Sequence, residues 1–180
     1  MKKQILAICG SVRKGSFNQA LLKYIKQSFR DELSIEIYDK MEALPIFNPD
    51  LEGPLLPPIV KALQQKIEQA DGVIISTPEY VFSLPGNLKN LLEWNVTSTI
   101  FSKKPVALIV AAASGEKAFE SLDLVMATIT CQPIPSELKL LFKGIGNKIN
   151  ANGNLTDAKM VDEIKALMIA FSQSINNRRI

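Results

Sequence analysis

With 180 residues, the chain is long enough to bury one sizeable core and short for two typical domains. Its 47% apolar and 22% charged residues exclude a disordered polymer, and a net charge of +3 with scattered Lys and Arg argues against nucleic acid as a partner. The absence of histidine removes the usual Ser-His-Asp and Cys-His nucleophile systems, His-based metal sites and any side chain that titrates near neutrality unperturbed. Chemistry run by a bound cofactor remains open. There is no run of apolar residues long enough to span a bilayer, and Met1-Lys2-Lys3 leads into a stretch too short for a signal peptide. No membrane association is therefore expected, and a cytoplasmic location is. Cys9 and Cys131 fit no metal or CxxC spacing and are expected to be small buried hydrophobes.

In chain order, Ile5-Leu6-Ala7-Ile8-Cys9 reads as a first strand. A polar loop follows from Gly10 to Asn18, and Phe17, Ala20, Leu21, Tyr24 and Ile25 then recur at the spacing of one helix face. A strand, a glycine-bearing loop and a helix bring backbone N–H groups and the positive end of a helix dipole to one point. Two serine hydroxyls, an asparagine amide and the Arg13 guanidinium join them, which makes a site for a phosphate; a polar turn capped by serine is the plainer alternative. The Walker pattern fails because Ser16-Phe17 stands where Lys-Ser/Thr is required, and GxGxxG fails because Val12 occupies the second glycine.

Residues 33–38 alternate apolar and polar, as a half-buried or edge strand does. Residues 39–58 hold five prolines, Pro45, Pro49, Pro54, Pro57 and Pro58, and no regular element is expected there. Within them, residues 44–48 read equally as a cover for a ligand or partner subunit and as a proline-stiffened connector. A helix is predicted over 59–70, then Val73-Ile74-Ile75 as a central strand covered on both faces. The loop over 76–86 leads to a helix over 87–96 that buries Leu88, Leu91 and Leu92. A second buried strand is predicted over 106–113, closed by Ser114-Gly115, then a helix over 118–126 and a fifth strand between 134 and 142. Residues 144–154, rich in Gly and Asn, read as a loop before a last helix over 156–175. Five strand-like runs alternating with helices imply an α/β fold with a doubly wound five-stranded parallel sheet. In the order 2-1-3-4-5 the ligand site falls between strands one and three, so the loops at 10–18 and 78–84 should face each other.

Gly10, Ser11, Arg13, Ser16 and Asn18 match every fixed position of GSxRxxSxN. This resembles the phosphate loop of the NADPH-dependent FMN reductase family of flavodoxin-like proteins, which includes chromate and quinone reductases and some azoreductases. Pro78-Glu79-Tyr80, followed by Leu84-Pro85-Gly86, Leu88-Lys89-Asn90 and Glu93-Trp94, is similar to the family's second signature, PEYN…PG.LKN…DW. The resemblance covers essentially the whole chain and is weakest after Lys117. It implies one flavodoxin-like, FMN-binding domain over 1–180, with the FMN phosphate at Gly10, Ser11, Arg13, Ser16, Phe17 and Asn18. It also implies that Pro78, Glu79, Tyr80 and Val81 border the flavin, with Ser114 and Gly115 beside its pyrimidine end. Physically, the backbone of this loop suits the N5 and O4 edge of the ring, and Tyr80 and Phe82 offer flat apolar surface, unless both simply pack in the core or at a subunit interface. Glu79 is not cast as a general acid; a surface carboxylate or a partner for a basic residue are its plainer readings.

Two departures stand out. The family's asparagine after the tyrosine is Val81, which tolerates positive φ poorly. The family's glycine pair is replaced by Ser114-Gly115-Glu116-Lys117, whose charges are expected to narrow or recharge the mouth of the site.

The resemblance implies an FMN-dependent NAD(P)H:acceptor oxidoreductase with NADPH or NADH as co-substrate. Hydride passes to flavin N5 and the electrons then go to a small-molecule acceptor: a quinone, azo compound, metal oxyanion or free flavin. No metal and no catalytic side chain are expected, and a homodimer or homotetramer pairing near residues 82–94 is. A flavodoxin-type electron carrier or redox sensor is the alternative, against which the basic balance and Arg13 speak. A third reading keeps the fold without flavin, as in nucleoside deoxyribosyltransferases.

Overall fold

Strands and helices alternate in the computed structural model, which describes residues 2–150 and 153–177. The strands are β1 (Lys3–Cys9), β2 (Leu33–Tyr38), β3 (Gly72–Thr77), β4 (Val106–Ala112) and β5 (Lys139–Lys143). The helices are α1 (Phe17–Ser28), α2 (Pro58–Gln69), α3 (Gly86–Glu93), α4 (Glu116–Thr130) and α5 (Ala158–Asn177). All strand pairs are parallel and the order is β2-β1-β3-β4-β5, as the alternation predicts. Ile5 sits between Ile35 and Gly72, and Val73 between Leu6 and Val106. β3 and β4 are buried along their whole length, which is why their sequences run apolar without alternation; β2, at the edge, alternates. β1 ends at Cys9 and β3 at Thr77, so the loops after them share one end of the sheet, at the point where the chain reverses its direction of winding.

The structure corrects several expectations. β5 starts at Lys139 rather than near 134, because Pro133 and Pro135 lack the N–H that a ladder needs and Ser136–Leu138 forms a single 3-10 turn. α3 stops at Glu93, with Trp94 as its cap rather than Val96 as its end. α4 runs to Thr130, four residues past the predicted end, and this puts Cys131 in a left-handed conformation (φ 58°) on the surface, not in the core. Cys9 is buried as expected, and burial pushes its thiol pKa up. The proline-rich segment holds three 3-10 turns (Met41–Ala43, Pro49–Leu51, Gly53–Leu55). It is stapled to α3: Asn90 Nδ2 and Trp94 Nε1 both donate to the Pro45 carbonyl (2.9 and 2.8 Å), and Phe47 N donates to Asn90 Oδ1 (2.7 Å). The predicted loop 144–154 contains a 3-10 turn at Ile145–Asn147 and a bridge between Ile149 and Leu155; its residues 151 and 152 lie outside the described residues. Among the described residues, no helix is long and apolar enough to cross a membrane.

Candidate functional site

The loop from Gly10 to Asn18 is shaped by contacts that glycine and serine permit. Gly10 N donates to the Ser76 carbonyl at 2.7 Å, and a Cβ at position 10 would stand 2.2 Å from Thr77 Oγ1. Only glycine lets the end of β1 pass so close to the end of β3. Ser11 Oγ accepts from Arg13 N (3.3 Å), and Ser16 Oγ caps α1 by accepting from Gln19 N (3.4 Å). Each serine keeps its hydroxyl hydrogen to donate elsewhere. The N–H groups of Phe17 and Asn18, in the first turn of α1, have no acceptor among the described residues. Arg13 has no carboxylate partner among them either, and its guanidinium lies 5.8 Å from the centre of the Phe17 ring. These are the donors an anion needs at a helix head.

Asn18 plays a different part from the one its motif position implies. It is 2% exposed; its Nδ2 donates to the Ala111 carbonyl (3.0 Å) and its Oδ1 accepts from Ser76 Oγ (2.8 Å). Its side chain thus ties the head of α1 to the ends of β3 and β4, and what it offers a ligand is its backbone N–H.

Across the cavity, Tyr80 and Ser83 exchange two backbone hydrogen bonds of 3.0 Å around Val81 (φ 50°) and Phe82 (φ 56°). Two successive left-handed residues make the tight turn that Asn-Gly normally fills. Here a β-branched valine takes the first place against its preference. Val81 and Phe82 are 93% and 78% exposed, while Tyr80 is half exposed and faces the cavity. Glu79 lies at the cavity, but its carboxylate is neither a free surface group nor paired with a basic side chain: its Oε2 accepts from Lys117 N (2.9 Å) and Ala118 N (3.0 Å), capping the first turn of α4 from another loop.

Between these walls lies a cavity of about 620 Å³. Ser11, Arg13, Ser16, Phe17, Asn18, Pro78, Glu79 and Tyr80 line it, so the two loops face each other as the topology requires. Gly10, Val81, Phe82, Ser114 and Gly115 do not. Gly10 supports the loop from beneath, Val81 and Phe82 project from the tip, Ser114 is exposed and Gly115 packs on Leu141 at the head of α4. Sequence reasoning missed Ala111, Ala112 and Ala113, whose small side chains leave the floor open, and Gly144 to Asn147 after β5, which form a third wall. That wall is held by Gly144 N donating to the Ala113 carbonyl (3.1 Å), and a Cβ on Gly146 would stand 3.8 Å from the Phe17 ring. Three alanines at the end of a central strand were the available signal; Gly144-x-Gly146-Asn147 read only as a loop.

The charges expected at the mouth are paired. Lys143 bonds Glu116 and holds its carboxyl below the usual range, and Lys117 bonds Glu120 (2.7 Å), which raises its ammonium pKa. No cluster of three metal-ligating side chains occurs among the described residues. The arrangement suits a planar molecule with an anionic tail: donors and an unpaired guanidinium at one end, apolar surface and backbone edges at the other, and a volume within the usual range of about 300–1,000 Å³ for ligand sites.

Known proteins resemble this chain along its length. The family described as NADPH-dependent FMN reductase matches residues 3–141. An NAD(P)H-dependent FMN reductase of Pseudomonas aeruginosa is 29% identical over 181 residues, covering 98% of this chain and 97% of that one. A quinone reductase of Escherichia coli is 27% identical over 188 residues (99% and 98%). The structure described as FerB, a flavoenzyme NAD(P)H:(acceptor) oxidoreductase from Paracoccus denitrificans, shares the fold with a TM-score of 0.78 at 24% identity, over 97% of this chain and 98% of that one.

Proposed function

Because this chain belongs to the NADPH-dependent FMN reductase family, we propose that residues 1–180 act as one FMN-binding domain whose acceptor is a quinone or a similarly flat electrophile. It is an FMN-dependent NAD(P)H oxidoreductase. The observation that carries the site assignment is the head of α1, where two free N–H groups, two serine hydroxyls and the unpaired Arg13 converge beside a cavity.

These residues fit FMN. Arg13, Ser11, Ser16 and the N–H groups of Phe17 and Asn18 hold the phosphate, each charge-assisted hydrogen bond contributing on the order of 1.5–3 kcal/mol. Pro78, Glu79 and Tyr80 present backbone and an aromatic face to the ring, and the Ala111–Ala113 stretch leaves room for it. When bound, FMN supplies a ring that takes up hydride at N5 and passes two electrons on. The walls need no dedicated base: the Glu79 carboxylate is occupied at α4, and the chain has no histidine. Tyr80, half exposed at the cavity edge, would offer an aromatic surface to a flat co-substrate lying against the bound cofactor.

A homodimer or homotetramer fits the exposed Val81–Phe82 tip and the apolar groove between α3 and α4, lined by Leu92, Val96, Leu124, Val125 and Ile129. Dependence on NAD(P)H favours the cytoplasm.

The test is anaerobic addition of NADPH and of NADH to the FMN-loaded protein, followed by a quinone. Bleaching of the flavin, and quinone-dependent turnover at steady state, are expected. Bleaching without turnover on small acceptors would favour an electron carrier that works through protein partners. Arg13→Ala is expected to weaken FMN binding by roughly tenfold to a hundredfold with the fold intact.

A further inference from the structure

We propose that Glu79 is the positioning residue of the ring end: its carboxylate locks the turn at 78–83 to the head of α4, so that this turn and the floor at Ala111–Ala113, which leads into α4, keep one fixed spacing. The inference rests on FMN being the ligand of this cavity.

It begins with a cap that α4 cannot provide for itself. At Gly115, the N-cap position, φ is +100°, and a Cβ would stand 2.8 Å from Leu141 Cδ1 and 3.1 Å from Val110 Cγ1. Both conformation and packing demand glycine, so no Ser, Thr, Asp or Asn can stand where helices ordinarily carry their capping oxygen. The first N–H groups of α4 would be left without a side-chain acceptor. Glu79 Oε2 reaches across to Lys117 N and Ala118 N, at 2.9 and 3.0 Å, and places a negative charge at the positive end of the helix.

The turn it secures needs an anchor. Val81 and Phe82 both sit in the left-handed region, and both side chains project into solvent, so their own packing does not offset the strain. Such conformations persist where the surroundings over-determine them. One flank is pinned by the Tyr80–Ser83 exchange and the burial of Leu84, and the other by Glu79. Glu79 is itself part of the cavity wall, and α4 begins just beyond Ala113 on the floor. Releasing the carboxylate frees the edge that carries Tyr80 and removes its registry with the floor.

The test is FMN affinity, read by quenching of flavin fluorescence, in the parent, Glu79→Ala, Glu79→Gln, Glu79→Asp, Arg13→Ala and the Arg13→Ala/Glu79→Ala double variant, with melting temperatures of each apoprotein. Glu79→Ala is expected to lose about tenfold in affinity, the equivalent of about one hydrogen bond to a charged group at the low end of its range. Glu79→Gln, which keeps an acceptor oxygen at the same reach, should stay within about threefold of the parent. Glu79→Asp, one methylene too short to meet both N–H groups, should fall between and carries the test if the alanine variant does not fold. The double variant should lose the product of the two single effects, because the sites hold opposite ends of the ligand. A lower melting temperature with parental FMN affinity in Glu79→Ala, or in Glu79→Asp if the alanine variant does not fold, would reduce Glu79 to a helix cap and overturn the proposal. So would a double variant no weaker than Arg13→Ala alone. A parent that binds no FMN fails at an earlier step, taking the cofactor assignment with it.

Discussion

At the head of α1 a serine caps one N–H and two more are left over, whereas at the head of α4 a carboxylate from a different loop takes both N–H groups within reach. Both helices begin at the same end of the sheet, but the head of α1 lines the cavity and the head of α4 lies behind Glu79, outside it. The first is built from consecutive residues and left open; the second is completed by a residue 38 positions away and closed. The difference teaches what each head is for: at α4 a carboxylate fastens a loop to the helix, and at α1 the free donors lie beside Arg13 in a cavity wall, where an anion can take them.

The same contrast explains what the sequence discloses. Gly10, Ser11, Arg13 and Ser16 lie within seven residues, so spacing alone conveys their joint purpose, and the parallel order of the sheet follows from the alternation of buried runs with amphipathic ones. The ring end is assembled from three loops. That Glu79 would cap α4 depends on Gly115 having no room for a side chain, which only Leu141 and Val110 reveal. The wall at Gly144 to Asn147 depends on how β5 leads back toward Phe17. Asn18 lines the cavity, while the engagement of its side chain with Ala111 and Ser76 is visible only with β4 beside α1. The exposure of Cys131 turns on where α4 ends, and helix ends are set by local contacts that periodicity does not carry.

Substitutions can break this contrast, and the largest effect is expected at Gly10. Gly10→Ala forces a Cβ against Thr77 Oγ1 and should destabilise by about 3 kcal/mol, within the range for overpacking, with FMN affinity lost as the loop shifts. Thermal unfolding with and without FMN checks this.

Asn18→Ala should come next. It leaves the Ala111 carbonyl and Ser76 hydroxyl without their partner, at about 1 kcal/mol each beside a cavity open to water, and lowers the melting temperature by about 2–4 °C per kcal/mol. If Asn18 instead held the phosphate through its amide, FMN affinity would fall as far as in Arg13→Ala while the melting temperature stayed put.

Val81→Asn sharpens the picture from the closed side. Asparagine accepts the left-handed conformation more readily, so this change should stabilise the protein by about 1 kcal/mol, read from the denaturation midpoint.

The smallest effect is expected at Glu116→Gln. Its carboxyl is held low mainly by the Lys143 hydrogen bond, so its contribution is complete above the ordinary carboxylate range and vanishes as the pH falls through the lowered value. The parent should therefore melt slightly above the variant at neutral pH and together with it in acid; at an exposed pair the gap is small.

The most direct measurement is calorimetric titration of apoprotein with FMN, run in parallel on Arg13→Ala. Saturable binding at one site per chain in the parent, weakened at least tenfold in the variant, is the predicted result. Equal affinity in both, or no heat and no shift in melting temperature at saturating FMN, would contradict a phosphate held at the head of α1.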